Sequence, residues 1–287
     1  MSYLAFAWLA SIVYGMYNVI GKLTSKYAIK NIWLFSFLYG LLTLLFTVPP
    51  ALVNHVGIPS HWGYIIVSGV CNALYILFFV LAIQKLDVSV IGPLFNFRTA
   101  ISLILSVLLL GESLSTIQLV LISIIFIAGI FVSVDERFSI RSFLQPSIFY
   151  GFCFTFFLAL SINYINRGIV TEGYWETTLY STVFSQICLC FTAPLFLRDI
   201  TKVNRFQMAG VTGMALCLAI GNIFANRAFA VNVSVSSAIT SLPISMFIVF
   251  ALSRIRPELL EKHTLKVYVV RFAAAFVMIG AALAISL

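Results

Sequence analysis

The sequence predicts an all-α integral membrane protein of ten transmembrane helices, arranged as two five-helix repeats in inverted topology. Three observations lead there. Of 287 residues, 62% are hydrophobic and 9% charged, where a soluble domain carries about 25% charged residues. The apolar stretches run beyond the roughly 18 residues that mark a membrane span. The first half also returns 145 residues later without a gap. Phe46-Thr47-Val48-Pro49 recurs as Phe191-Thr192-Ala193-Pro194, Asp87-Val88-Ser89-Val90 as Asn232-Val233-Ser234-Val235, and Asn18 and Lys22 as Asn163 and Arg167. A duplicated block of membrane helices is the usual build of a carrier.

The spans follow in order. The first, 2–21, lacks a charged leading region and a small-residue cleavage site, so it reads as a retained helix. Its Ser11, Tyr14, Gly15, Asn18 and Lys22 share a face. The second covers 32–53. The third, 62–84, offers Ser68, Asn72 and Tyr75, and the fourth, 88–110, holds Pro93 and Arg98. The fifth covers 116–134, and the polar run Asp135–Arg141 closes a first repeat of residues 1–145.

The second repeat, 146–287, opens near Pro146. Its spans are expected at 147–166, 176–197, 208–229, 232–253 and 266–286. The sixth offers Ala159, Asn163, Asn166 and Arg167, the eighth Ala215, Ala219, Asn222 and Asn226, and the ninth Ser234, Ser237, Ser241 and Ser245. Small and hydroxyl residues also hold membrane helices together, so packing competes with cavity lining for these stripes. In the fourth span Ser89, Gly92, Asn96 and Thr99 fall on one face, roughly opposite Arg98, and read as a packing face.

Five spans per repeat is odd, so the second half enters from the opposite side, as in inverted-repeat transporters whose substrate site lies near the midplane. Thirteen basic residues fall in the loops after spans 1, 3, 5, 7 and 9, against Arg167 and Arg227 on the other side. The positive-inside rule then places both termini outside the cytoplasm.

The formal charge of +8 sits at helix ends, without the aromatic-basic interleaving of a single-strand binder, so no nucleic-acid partner is expected. The expected partners are a small-molecule substrate and the lipid bilayer, with the chain a monomer or homodimer. Cys71, Cys153, Cys188, Cys190 and Cys217 all lie in apolar spans and read as packing residues. His55, His61 and His263 read as solvated loop histidines. No metal or other cofactor is expected. No nucleophile–base arrangement or paired carboxylates assemble within one site, which disfavours an enzyme.

Arg98 stands near the centre of the fourth span, with ten residues before it and twelve after. A charge there costs about 2.5–3.5 kcal/mol on insertion scales. Two readings stay open: contact with substrate, or bonding to backbone carbonyls freed by Pro93 or Pro243. At the repeat offset Arg98 matches Pro243, so a site built on it is asymmetric. All nine acidic residues fall in loops or at helix ends, which argues against carboxylate-driven export of cations. A central arginine without a central acid suits an anionic group on the solute. Tyr14, Asn18, Asn72, Tyr75, Asn163, Asn222 and Asn226 complete the expected substrate contacts, with Pro93 and Pro243 as hinge candidates.

Leu81-Ala82-Ile83, Val88-Ser89-Val90-Ile91-Gly92-Pro93-Leu94, Leu110-Gly111-Glu112-Ser113-Leu114-Ser115 and Ala128-Gly129-Ile130 together resemble an EamA-type repeat of the drug/metabolite transporter superfamily. Gly15 and Lys22 resemble its opening segment. The second half departs at its last corner, Arg254–His263, which is longer and lacks the Gly-Glu pair. The resemblance implies a ten-helix permease with a central cavity, and both termini cytoplasmic, against the charge count. It implies transport of amino acids, sugars, nucleotide sugars, organic phosphates or drugs, export rather than uptake, and a multi-pass place in a cell membrane of the prokaryotic inner or plasma type. The expected function is a secondary carrier of a small polar solute, an amino acid or related metabolite. The alternatives are a sugar-phosphate or nucleotide-sugar exchanger of the same fold, or a non-transporting sensor or assembly subunit.

Overall fold

The computed structural model describes residues 2–110, 115–132, 146–229, 239–240, 242, 244–255, 258 and 264–286. Among these the chain is helical and carries no strand. In order the helices are α1 (Tyr3–Leu23), α2 (Ile32–Val53), α3 (Gly63–Lys85), α4 (Val88–Leu94), α5 (Phe97–Leu110), α6 (Thr116–Val132), α7 (Pro146–Glu172), α8 (Tyr174–Cys190), α9 (Leu197–Ile200), α10 (Arg205–Phe229), α11 (Ile244–Ile255) and α12 (Leu265–Ser286). A π-turn, Thr24–Ala28, prolongs α1.

Among the described residues, six segments are long and apolar enough to cross a membrane: Tyr3–Ala28, Ile32–Val53, Gly63–Lys85, Pro146–Glu172, Arg205–Ala225 and Leu265–Ala284. In hydrocarbon the backbone must satisfy its own hydrogen bonds, so such stretches have no alternative to helix. Thr116–Val132 and Ile244–Ile255 are shorter apolar helices.

Local chemistry sets the ends. Asn31 Oδ1 accepts from the backbone N–H groups of Trp33 (3.0 Å) and Leu34 (3.3 Å), capping α2. The sixth expected span runs on past 166 because nothing stops it before Gly173, whose φ of +101° suits glycine and ends α7 at Glu172. The seventh stops short of its expected end. After Cys190 the chain tightens, Phe191 and Thr192 N–H bonding three residues back to Cys188 and Leu189, ahead of Pro194, which has no N–H to continue a helix.

The fourth span departs most from expectation. It is two helices, α4 and α5, separated at Phe95 and Asn96. Pro93 cannot donate to the turn before it. Phe95 N–H then bonds Gly92 O (3.2 Å), Asn96 N–H bonds Pro93 O (3.0 Å) and Arg98 N–H bonds Phe95 O (3.1 Å), a tightened turn in mid-span. Pro243 lies outside the described residues.

The most extensive helix pairings are α3 with α7, α1 with α10, α6 with α12, α3 with α8, and α2 with α8 and α10; α1 also meets α11, and α7 meets α5. Lipid is as apolar as the helix faces, so close packing must hold such a bundle. Gly69 shows how: a Cβ there would lie 2.6 Å from Phe184 Cβ and 2.7 Å from the Ser181 carbonyl oxygen, so only glycine lets α3 lie this close to α8. Cys190, expected to pack, is exposed, and Cys71 is buried. His61 is also more than a solvated loop residue. Its Nδ1 lies 2.7 Å from Glu172 Oε1, and Ser60 and His61 N–H both donate to the same carboxylate, tying the α2–α3 loop to the end of α7.

Candidate functional site

A cavity of about 350 Å³ opens where α1, α3, the α4–α5 break, α7, α10 and the segment leading into α11 converge, with the end of α12 at its edge. That volume lies at the lower end of the roughly 300–1,000 Å³ of small-molecule pockets. Arg98, Tyr14, Asn18, Asn72, Tyr75 and Asn222 line it. Asn163 does not. Its Nδ2 donates to Ala159 O at 2.8 Å and lies 3.5 Å from Ser102 Oγ, so its amide is engaged between α7 and α5. Asn226 lies on α10 one turn beyond Asn222, and its side chain is outside the described residues.

The break in the fourth span decides which residues meet. On one continuous helix Asn96 would face away from Arg98. With the turn tightened between α4 and α5, Gly92, Phe95, Asn96 and Arg98 all reach the cavity. The face expected to pack is therefore divided: Gly92 and Asn96 line the cavity, while Ser89, one turn before Gly92, bonds elsewhere. Irregular backbone at membrane depth is tolerated where it is buried in protein or lines a cavity, which is its position here.

The walls are held by hydrogen bonds between side chains of different helices. Tyr14 Oη donates to Asn222 Oδ1 at 2.7 Å, joining α1 to α10. Gly221 makes room for this ring, since a Cβ there would sit 2.6 Å from Tyr14 Cε1. Tyr17 Oη lies 3.1 Å from Tyr39 Oη and 3.4 Å from Tyr75 Oη, and its ring stacks on Phe79 at 5.4 Å. Asn72 Nδ2 donates to Ser185 Oγ at 3.1 Å. Tyr14 and Tyr75 line the same cavity as Arg98. Arg98 forms no side-chain hydrogen bond or ion pair among the described residues, and no carboxylate lines the cavity among them.

The two ends of the cavity differ. Asn222 is exposed at one. Toward the C-terminal end of α1 the bundle is closed. Gly21 packs against Ile83 and Met214, and Val19, Val88 and Val249 form a buried cluster. Lys22 Nζ then donates to Leu86 O at 2.6 Å.

Beside that closure stands a residue the sequence reading overlooked. Arg271 on α12 is 2% exposed. Both of its terminal nitrogens lie 3.3 Å from Asp87 Oδ2, and Nη1 also donates to Ser89 Oγ. The sequence signal was weaker than for Arg98: Arg271 is an arginine inside an apolar span, but it stands five residues from the start of that span, where a long side chain can reach the interface. Asp87 is correspondingly more than a helix-end acid, since it holds a buried guanidinium between the two halves.

No curated protein matches the chain. The EamA-like transporter family model matches residues 1–134, the stretch that holds the α3 end, the Pro93 segment and Gly129, where a side chain would meet the Phe97 ring. Over that segment, residues 1–134 of 287, the chain is similar to the EamA-like transporter family, and its apolar helices mark a multi-pass membrane protein.

Proposed function

We propose that the protein is a secondary transporter that moves a small polar solute bearing a carboxylate, an amino acid or related metabolite, by alternating access. The observation that carries this reading is Arg98, a guanidinium in a mid-span cavity whose described lining offers no acid to neutralise it. An anionic group on the solute supplies that partner, and arginine's planar fork matches a carboxylate in two parallel bonds. The direction we assign, export, follows the family resemblance. The membrane is the cell membrane.

The transport mechanism rests on a five-plus-five inverted architecture, with repeats 1–145 and 146–287. The packing supports it. Exchanging each helix for its counterpart at the 145-residue offset turns α3–α7 into α10–α1, α3–α8 into α10–α2, and α7–α5 into the span that pairs α1 with α11; α2–α8 and α6–α12 map onto themselves. All of these are extensive contacts, as a pseudo-two-fold axis requires. A cavity exposed at Asn222 and closed beyond Gly21 is one of the two states alternating access needs. The break after Pro93 is its hinge candidate, and Pro243 stands in the corresponding span of the second repeat.

Purified protein in sealed vesicles tests the proposal by counterflow. Exchange of a labelled carboxylate-bearing solute is expected, and Arg98→Gln should lower it at least about 100-fold while the protein still inserts and unfolds at a similar temperature. Binding without exchange would identify a sensor instead. Unchanged exchange in Arg98→Gln would remove the arginine from the site.

A further inference from the structure

Seven buried side-chain oxygens have no hydrogen-bond partner among the described residues. Four of them, on Ser36, Ser68, Thr177 and Gln186, belong to residues that do not line the cavity. The other three are Ser11 Oγ, Asn18 Oδ1 and Asn96 Oδ1, all from cavity-lining residues. Their residues are 1%, 6% and 3% exposed. The Asn96 orientation is settled by chemistry. Its Nδ2 donates to Pro93 O at 3.1 Å, a bond only the NH₂ end can make, so the carbonyl end is left over. Asn222 differs, because its Oδ1 already accepts from Tyr14.

These atoms want donors, as buried oxygens without a partner do. We infer that Asn18 Oδ1 and Asn96 Oδ1 form an amine-binding subsite, so that the solute is a zwitterionic α-amino acid with its carboxylate on Arg98 and its ammonium on these two oxygens; Ser11, two turns before Asn18 on α1, lies about 10 Å away along the helix and takes no part. This rests on the transporter reading above and adds the second pole. An ammonium brings three donors, and the two amide oxygens accept from it without fixing a negative charge. Asn96 and Arg98 are two residues apart across the α4–α5 break, so the poles they set are neighbours, as the α-amino and α-carboxyl groups of one molecule are. A simple amine cannot replace the amino acid, because it would bring a second positive charge beside Arg98 with no carboxylate to offset either. Leu158, Ile162, Leu218 and Leu242 leave an apolar wall for the side chain.

The test uses matched probes that share one side chain: L-phenylalanine, L-3-phenyllactate, 3-phenylpropanoate and phenethylamine, and the corresponding leucine series. Binding is read as the shift in melting midpoint of the purified protein, and transport as counterflow in vesicles. The amino acid should bind at least about tenfold more tightly than both the hydroxy acid and the plain acid, with no binding of the amine. Asn18→Leu and Asn96→Leu should each bring that ratio toward one, read within each variant so that a general loss of affinity cancels. Asn96→Asp, which keeps the size and adds a charge, should gain phenethylamine binding.

Equal binding of the amino acid and the plain acid would overturn the amine subsite and leave the carboxylate reading standing. Equal binding of the hydroxy acid would also overturn it, leaving a site for any donor. If no carboxylate-bearing probe in either series binds, both readings fall. An intact amine preference in the two leucine variants, with no amine binding in Asn96→Asp, would remove these residues from the subsite.

Discussion

Replacing Asp87 by asparagine should destabilise the protein more than removing the arginine it holds. The Arg271 side chain is 3% exposed and the Asp87 side chain 33%. Asp87→Asn keeps the size and leaves Ser89 Oγ in place, but it strips the counter-charge from a guanidinium that water barely reaches. Breaking a fully buried pair this way costs about 3–5 kcal/mol. Asp87 is one-third exposed, and an asparagine oxygen still accepts a hydrogen bond, so about 2–3 kcal/mol is expected here. Arg271→Met removes the desolvated charge itself, fills the space with an apolar chain and leaves a carboxylate that water can reach, so it should cost less than about 1 kcal/mol. In the Arg271→Met background, Asp87→Asn should then have almost no effect. The assay is a double-mutant cycle on unfolding midpoints in detergent, with each variant's insertion checked by size-exclusion chromatography. Equal costs for the two single changes, or an Asp87→Asn cost that is the same in both backgrounds, would refute the reasoning, because the penalty would then not come from a stranded charge.

Gly69→Val should lower the unfolding midpoint by the equivalent of about 1–3 kcal/mol, since the new side chain meets backbone of α8 that cannot rotate away; Gly57→Ala, where a Cβ finds nothing within 4 Å, is the matched control and should shift it by less than about 0.5 kcal/mol. A cysteine at Asn222, in a variant with the native cysteines replaced by serine, should react with a membrane-impermeant thiol reagent added on the side of the N terminus and be protected by substrate; a cysteine at Ser25, which is 5% exposed, should react from neither side. Labelling of residue 222 only from the side opposite the N terminus would contradict the proposed order of spans, and the side on which a tagged N terminus is found would decide between the charge count and the family resemblance on orientation.

Where the helices lie was legible in the sequence because hydrocarbon leaves an apolar stretch one way to satisfy its backbone. The second span was read at 32–53 and found at Ile32–Val53; the sixth and seventh ended elsewhere because Gly173 and Pro194 act through single turns that average hydropathy does not see. The site was legible as residue types but not as a set. Arg98 and Asn96 were assigned to opposite faces of one helix, a fair deduction from 100° per residue until the turn after Pro93 changes the phase. Asn163 looked equivalent to Asn18 by the repeat, yet its amide bonds Ala159 and Ser102 while Asn18 keeps an open oxygen. Arg271 gave a weaker signal than Arg98, because it stands near the start of its span, where snorkelling competes with burial.

By itself, then, the sequence determined a membrane protein, the order and approximate extent of its helices, a repeat at 145 residues and an unmatched mid-span arginine, because composition and spacing act along the chain and need no neighbour. Only the tertiary structure decided which polar groups share a cavity, which are consumed in holding the walls together, and which arginine is paired. Those outcomes depend on where a helix breaks and on which residue from a distant span fills the space beside it. Arg98 and Arg271 are both arginines inside apolar spans; Asp87 and Ser89, brought to Arg271 by the packing of α4 against α12, are what make one a structural residue and leave the other facing the cavity.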